Sequence, residues 1–271
     1  MIPKIIHYCW FGKNPLPPLA IKCINSWKKY FPDYEIREWN ENNFDVNIIP
    51  YTKEAYNVKK YAFVSDYARF WILYNYGGLY FDTDVEVIKP MDDIIANGAF
   101  MGCENEVKKK NHKTLSINPG LGIGAKSGLN IYQEILNLYA TLHFIRKDGS
   151  YNQKTIVYYT TEILCKYGLK QIDEVQNCAG ILIYPKEYFS PKNYRTGELA
   201  ITNKSYTIHH YSASWKNDIE RYADQMKNKL LFIPPNARIY IGLFIATVKY
   251  KGFLQAFQTF IHSMLKHISI I

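Results

Sequence analysis

Hydrophobic and polar positions along the N-terminal part of the chain switch between a strand period and a helix period. Ile2-Pro3-Lys4-Ile5-Ile6-His7-Tyr8-Cys9-Trp10 is a nearly continuous apolar run that predicts a buried strand, closed by the turn residues Phe11-Gly12-Lys13-Asn14-Pro15. Leu19, Cys23, Trp27 and Tyr30 then recur at helical spacing, Pro32-Asp33 ends that pattern, and Tyr34 to Trp39 alternates as a second strand. A polar helix over 52–61 precedes one over 62–76 that is apolar almost all round, so the second is predicted to be buried. Gly77-Gly78 stops it, because a left-handed position past a helix end admits glycine most cheaply, and Leu79-Tyr80-Phe81 enters a sheet. Val85-Glu86-Val87-Ile88 leaves as another strand. Asn118 to Ala125 reads as a glycine-rich strand and turn, 129–145 and 154–167 as amphipathic helices, and Tyr206 to Tyr211 as a late strand. Pro234-Pro235 breaks the chain before two helical patterns over 237–249 and 252–268. The alternation predicts an α/β domain over 1–235 and a helical tail over 236–271.

Composition narrows this picture. A chain of 271 residues with 48% hydrophobic residues can bury a full core and is not disordered. Five cysteines (Cys9, Cys23, Cys103, Cys165, Cys178) form no CxxC pair and are an odd number, which argues against a disulfide framework or a structural zinc and points to a reducing compartment. The first residues lack the basic, apolar and small-residue succession of a secretory signal. The longest apolar stretch, Ile239 to Val248, falls short of the roughly eighteen residues that a membrane span needs. The net charge of +9 is uneven: Lys227, Lys229, Arg238, Lys249, Lys251 and Lys266 stand in 225–271 without a single acid. No aromatic interleaving or known module accompanies these bases, so nucleic acid is disfavoured as a partner.

The chemistry concentrates in Asp82-Thr83-Asp84. In an extended backbone residues i and i+2 share a face, so the two carboxylates are predicted to stand side by side at the mouth of the Leu79-Tyr80-Phe81 strand. Two such oxygen ligands suit Mn2+ or Mg2+ with open positions for phosphate oxygens; the alternative is a solvated turn. The buried helix carries only two charges, Asp66 and Arg69, three apart and on one face. Either they pair with each other, or Arg69 holds a phosphate or a carboxylate while Asp66 accepts from sugar hydroxyls. Glu86 is read as solvated rather than as a third ligand, and Lys108-Lys109-Lys110 as a solvated loop. Asn118-Pro119-Gly120-Leu121-Gly122-Ile123-Gly124 lacks a dinucleotide or P-loop spacing and implies only close backbone approach. His209 and His210 face opposite ways on a strand, so one of them at most can face the acids.

Ile2-Pro3-Lys4-Ile5-Ile6-His7-Tyr8-Cys9-Trp10-Phe11-Gly12, Ser65-Asp66-Tyr67-Ala68-Arg69-Phe70, Gly77-Gly78-Leu79-Tyr80-Phe81-Asp82-Thr83-Asp84 and His209-His210 with Ser214-Trp215, in this order and spacing, resemble a family 32 glycosyltransferase. The bacterial capsule branch is the nearest, with initiating mannosyltransferases as relatives. The resemblance covers Ile2 to about Trp215 and implies a GT-A-like nucleotide-sugar-binding fold with a mixed central sheet and a helical C-terminal extension. It implies that Trp10 stacks on the base, Asp66 and Arg69 contact the donor sugar and diphosphate, Tyr80 lines the pocket, and Asp82 and Asp84 hold the metal. Tyr8, Asn118 and Trp215 are further candidate substrate contacts. His210 is chosen as the late metal ligand, with His209 as its competitor; Ala213 stands where the family usually has glycine. The family's Gly-Pro turn is replaced by the region of Tyr159-Thr160-Thr161-Glu162.

The expected activity is a retaining, metal-dependent transfer of a hexose from a nucleotide-diphosphate sugar, a UDP-sugar by preference, to a glycan acceptor that is lipid-linked. The expected setting is surface or capsular polysaccharide synthesis, with a cytoplasmic enzyme peripheral on the inner face of the plasma membrane. A non-catalytic sugar-binding module is the alternative. Phe253, Ala256, Phe257, Phe260, Ile261, Met264, Leu265 and Ile268 form an apolar stripe, read as a foot on an anionic membrane surface or as ordinary core.

Overall fold

The computed structural model describes residues 1–106, 115–194, 197–212, 218–230 and 232–268, with the backbone alone described at 218, 221, 228, 235–236 and 261–268. The lysine loop at 108–110 and the segment of Ala213, Ser214 and Trp215 lie outside the described residues.

The chain opens with strand β1 (Ile5–Cys9), helix α1 (Pro18–Tyr30) and strand β2 (Glu35–Trp39). Pro18 starts α1 where a missing N–H costs nothing, and the helix buries Ala20, Cys23, Ile24 and Trp27. β2 lies parallel to β1 with Ile5 opposite Glu35 and Cys9 opposite Trp39. Helix α2 (Pro50–Asn57) leads into α3 (Tyr61–Tyr76), whose buried positions run from Phe63 to Leu73 with few gaps, as its apolar circumference predicts. Gly77 closes α3 with φ 65° and ψ −161°, an extended left-handed conformation beyond the helical left-handed region expected there. A Cβ on Gly77 would also lie 2.8 Å from the Ser127 nitrogen, so glycine is required on two counts.

Strand β3 (Gly78–Tyr80) then enters the sheet beside β1, in parallel. The chain turns through Asp82 to Asp84 and continues as β4 (Val85–Val87), α4 (Asp92–Ala96), β5 (Phe100–Cys103), β6 (Ile117–Asn118), a 3-10 turn at Pro119–Leu121, and β7 (Ile123–Ala125). After α5 (Asn130–Ala140) and α6 (Ile156–Lys166) come β8 (Gln176–Cys178), β9 (Ile181–Tyr184), α7 (Lys186–Phe189) and β10 (Thr207–His209). The main sheet runs β2-β1-β3-β7-β5-β9-β8, with β6 on β5, and β10 pairs with β4 in a separate antiparallel ribbon. It is mixed: β2, β1 and β3 are parallel, β7 is antiparallel to β3 and β5, and β9 is parallel to β5. Strands β5, β8 and β9, too short to show a period, are left unassigned by the sequence pattern. The α/β class with a mixed central sheet, expected from the sequence, is the architecture observed.

Glycines of the 118–125 segment let this sheet close. A Cβ on Gly124 would sit 2.5 Å from the Phe100 ring and 2.7 Å from Leu79, so β7 can pass between β3 and β5 only without one. Two apolar clusters fill the sides. One gathers Phe63, Phe70, Tyr80, Tyr132, Tyr139 and Ile163, the other Ile6, Trp27, Leu79, Phe81, Leu121 and Phe189. The alternation Leu79, Tyr80, Phe81 divides β3 between them.

The chain forms two compact units, Met1–Tyr211 and Ser212–Ile271. The second holds α8 (Asp218–Lys229), α9 (Pro235–Lys251) and α10 (Phe253–Ile268). Pro234-Pro235, where the sequence places the break, lies between α8 and α9 inside this second unit. Gly242 brings those helices together, since a Cβ there would be 2.7 Å from the Ala223 carbonyl. α10 packs on α9 through Phe244, whose ring lies 5.9 Å from Phe253 and 5.7 Å from Phe260. Among the described residues no helix is long and apolar enough to cross a membrane.

Candidate metal and diphosphate site

Asp82 and Asp84 lie in the turn between β3 and β4, not in the extended backbone that the spacing suggests; the Val85 N–H donates to the Asp82 carbonyl at 3.0 Å. The turn brings the carboxylates together. The adjoining ribbon supplies the third group, because β10 runs antiparallel to β4 with His209 opposite Val85. One ligand atom from each of Asp82, Asp84 and His209 lies within 4.8 Å of the others.

The two histidines do face opposite ways, and the structure corrects the choice between them. His209 Nε2 stands 3.1 Å from Asp84 Oδ1. His210 Nε2 is 2.8 Å from Glu86 Oε2, which also accepts from Lys22 Nζ at 2.8 Å. Its side chain is thereby committed to Glu86, so His210 is not placed with the acids, and Glu86 is neither a third ligand nor merely solvated. The backbone N–H of His210 donates to the Asp84 carbonyl at 2.9 Å, which ties β10 to the turn.

On the other side of Asp82 stands Arg69. Its Nη2 donates to Asp82 Oδ1 and forms an ion pair with Asp66 Oδ1, both at 3.1 Å, and its Nε donates to the Ser65 carbonyl at 3.2 Å. Asp66 and Arg69 thus pair with each other, as the first of the two sequence readings has it, and Arg69 also holds the Asp82 carboxylate. Asp66 Oδ2 accepts from the Ile156 N–H at 3.2 Å, at the first turn of α6, where exposed N–H groups favour an anion. With both oxygens so engaged, Asp66 positions Arg69. Tyr80 adds its hydroxyl, which donates to Asp82 Oδ1 at 3.1 Å, and its ring, 5.1 Å from the guanidinium.

Burial sets the electrostatics. Asp66 is 7% exposed and Arg69 4%. Burial raises the Asp66 carboxyl to about 6 against the opposing pull of Arg69, and it raises Asp82 as well. Burial alone would lower His209, but Asp84 and Asp82 outweigh it and hold the imidazole above its usual range. Three carboxylates (Asp66, Asp82, Asp84) against one guanidinium leave an excess of negative charge that a protonated His209 offsets only in part.

The remaining sequence candidates are placed apart from this core of the site. Tyr8 is buried in the cluster with Trp27 and Phe81 and donates its hydroxyl to Glu38 Oε2 at 2.7 Å. Trp10, half-buried, packs on that same cluster and donates Nε1 to the Asn14 carbonyl. Cys9, between them, faces the other way, and its thiol is pushed up to about 12 by burial with Arg69, Tyr80 and Asp82 as its charged neighbours. The sequence reading passed over Cys9 because a lone cysteine in an apolar run looks like core. Asn118 is a turn-former: its Oδ1 accepts from the Gly120 N–H at 2.8 Å, and its Nδ2 donates to Glu104 Oε2 at 2.9 Å. Gly120 in turn accepts from the Asp82 N–H at 3.2 Å, and a Cβ on it would lie 2.0 Å from Asp82 Oδ2. Glu104 and Gly120 were legible only as a polar residue and a glycine; their places come from the β5–β6 pairing.

Residues 17–101 match the model of the glycosyltransferase sugar-binding region containing the DXD motif. Inositol phosphoceramide mannosyltransferase 1 of Schizosaccharomyces pombe is 30% identical over 111 residues, 37% of this chain and 33% of that protein. The initiation-specific alpha-1,6-mannosyltransferase of Candida albicans is 27% identical over 125 residues, 42% of this chain and 31% of that one. The chain thus spans about a third of the length of these curated relatives. Among solved structures, the PaToxG glycosyltransferase is similar at 19% identity and a TM-score of 0.45, over 61% of this chain and 69% of that one. The region that carries Asp66, Arg69, Asp82 and Asp84 is thus similar to the sugar-binding region of DXD-containing glycosyltransferases.

Proposed function

We propose that the protein is a retaining glycosyltransferase that moves a hexose from a nucleotide-diphosphate sugar, a UDP-sugar by preference, to a glycan acceptor, with Mn2+ or Mg2+ held by Asp82, Asp84 and His209. The observation that carries this reading is the convergence of those three side chains in a pocket of excess negative charge. The donor set fits a divalent cation. His209 Nε2 and Asp84 Oδ1 are 3.1 Å apart, the spacing of two neighbouring ligands whose bonds of about 2.1 Å meet at a right angle. His209 Nδ1 is buried without a hydrogen-bond partner among the described residues, and Gly120 leaves the room that Asp82 Oδ2 occupies.

A divalent cation there would supply positive charge for the diphosphate as it leaves. The chain's own part is preorganisation. Arg69 is clamped between Asp66 and Asp82 and needs no reorientation to face developing negative charge. Tyr80 holds Asp82 Oδ1, so that Oδ2 is fixed beside Gly120. Trp10 offers a stacking surface for the base, and Tyr8 lies behind it in the same cluster. In front-face substitution the acceptor hydroxyl attacks from the side on which the diphosphate departs; the C1–O bond to phosphate breaks, the new glycosidic bond forms, and the hydroxyl proton passes to the leaving phosphate oxygen. The acceptor is a lipid-linked glycan of surface or capsular polysaccharide, and the enzyme works at the cytoplasmic face of an anionic membrane.

Screening nucleotide sugars for thermal stabilisation with Mn2+, then following donor hydrolysis and transfer, tests this reading; a fitting donor at a hundredfold excess over Kd stabilises by about 2.7 kcal/mol. Asp84→Asn removes both the Mn2+ dependence and turnover while leaving the fold intact. Turnover in excess chelator refutes the metal assignment, and donor binding without hydrolysis or transfer makes the protein a sugar-binding module.

A further inference from the structure

The corner between α9 and α10 exposes apolar side chains. Gly252, with φ 84°, turns the chain there, and next to it Phe253 is 64% exposed, Leu254 79% and Phe257 51%, with Tyr250 also exposed. Phe253 and Phe257 belong to the stripe that the sequence of α10 suggests, but the stripe is not exposed as a whole. Ala256 is 1% exposed and Phe260 packs on Phe244, so that part of the stripe turns toward α9. Leu254, which the stripe omits, is instead the most exposed of the group. The other stripe residues, Ile261, Met264, Leu265 and Ile268, carry no described side chain.

The charge along α9 and α10 has one sign. Lys249 and Lys251 flank it, and no Asp or Glu occurs anywhere in 225–271. Lys249 lies over the Tyr222 ring, 3.8 Å from its centroid, which holds its ammonium beside the corner. An apolar tip flanked by two lysines, on two helices that carry no acid, matches an interfacial anchor. The acids of the unit, Asp218, Glu220 and Asp224, all stand on α8.

We infer that the α9–α10 corner is an insertion point for an anionic lipid surface, with Phe253, Leu254 and Phe257 entering the headgroup boundary and Lys249 and Lys251 contacting lipid phosphates. This deepens the membrane-surface part of the proposed function by naming the element, and it stands independently of which donor the enzyme uses. The experiment is co-sedimentation of the full chain, without nucleotide sugar, with vesicles of phosphatidylcholine alone and with 30 mol% phosphatidylglycerol, roughly the anionic content at which surface charge is felt. The full chain is expected to bind the anionic vesicles and to be released by salt. Each of Lys249→Gln and Lys251→Gln weakens binding about fivefold. The combined Phe253→Ser, Leu254→Ser, Phe257→Ser variant weakens it at least about tenfold, and Leu254→Ser alone, at the most exposed of the three positions, also weakens it with unchanged thermal unfolding. Equal binding by the combined variant, or no binding of the full chain to anionic vesicles, overturns the inference. A concentration-dependent dimer that the combined variant abolishes, with no vesicle binding, assigns the corner to a second copy of the chain instead. Donor hydrolysis in solution is measured in parallel, so that loss of the membrane anchor is separated from failure of the transferase reading.

Discussion

Asp82 is held from four directions, by Arg69, by the Tyr80 hydroxyl, by the backbone of Gly120 and by the space that Gly120 leaves open. Gly120→Ala would place a methyl group where Oδ2 now sits, so the carboxylate must rotate away. The expected cost is about 1–3 kcal/mol of stability from overpacking, with a loss of Mn2+ affinity that thermal unfolding and calorimetric titration measure separately. Asn118→Ala acts one step further out: it frees the Gly120 N–H and leaves Glu104 without its amide, and is expected to lower Mn2+ affinity about 10-fold or more at a smaller stability cost. Unchanged affinity in both variants would show that the cradle under Asp82 is packing alone. The histidines offer the sharpest contrast. His209→Gln should remove most Mn2+ binding, whereas His210→Gln should only loosen the Glu86 contact; the reverse order would restore His210 as the ligand.

Helix α3 and the strands on either side carry the charged side of the site, and their stability is tied to its chemistry. Arg69→Met would leave Asp66 buried with only the Ile156 N–H, and is expected to cost about 3–5 kcal/mol in urea unfolding. Asp66→Asn in the same chain should recover much of that, because the stranded charge is gone; full stability of Arg69→Met alone would mean that water reaches Asp66. His7 makes a second link. It accepts from Trp39 Nε1 on Nδ1 at 3.0 Å, so its Nε2 carries the proton and donates to the Gly77 carbonyl at 3.0 Å. Burial lowers its pKa to about 4. The unfolded chain, with a histidine near 6.5, then binds more protons between these values, so stability is full above pH 6.5 and falls as pH drops toward 4, by on the order of 3 kcal/mol. His7→Gln keeps a donor and an acceptor and should flatten urea midpoints across that window. Much of this layer was legible. The apolar run around His7, the all-round apolar α3 and the two charges on it follow from local periodicity. The strands β8 and β9 did not, being three and four residues long. Nor did the identity of the facing histidine: alternation says that His209 and His210 oppose each other, but only the register of β10 on β4, a long-range property, selects one.

At the scale of the molecule, the region similar to the DXD sugar-binding model ends at residue 101, yet the site does not. Asp66, Arg69, Asp82 and Asp84 fall inside it, whereas Asn118, Gly120, the Ile156 N–H and His209 come from later elements. The spacing marked the acids because they stand one residue apart; that a histidine more than a hundred residues further on joins them was implied only by the resemblance, not by any local pattern. The smallest unit expected to bind metal therefore reaches Tyr211. Both apolar clusters are built from residues no later than Tyr206, which gives the unit Met1–Tyr211 a core of its own. Truncation after Tyr211 is thus predicted to leave a cooperatively folding protein that binds Mn2+ within about twofold of the full chain, since the groups of the site all precede that residue. The same fragment should lose sedimentation with anionic vesicles, because the α9–α10 corner and the acid-free basic stretch are gone. If it instead unfolds, or if its Mn2+ affinity collapses, then α8 to α10 support the catalytic unit and their lipid contact cannot be a detachable anchor. If it folds, binds metal and still sediments with the vesicles, the membrane contact belongs to the first unit, and the corner at Gly252 is not the insertion point.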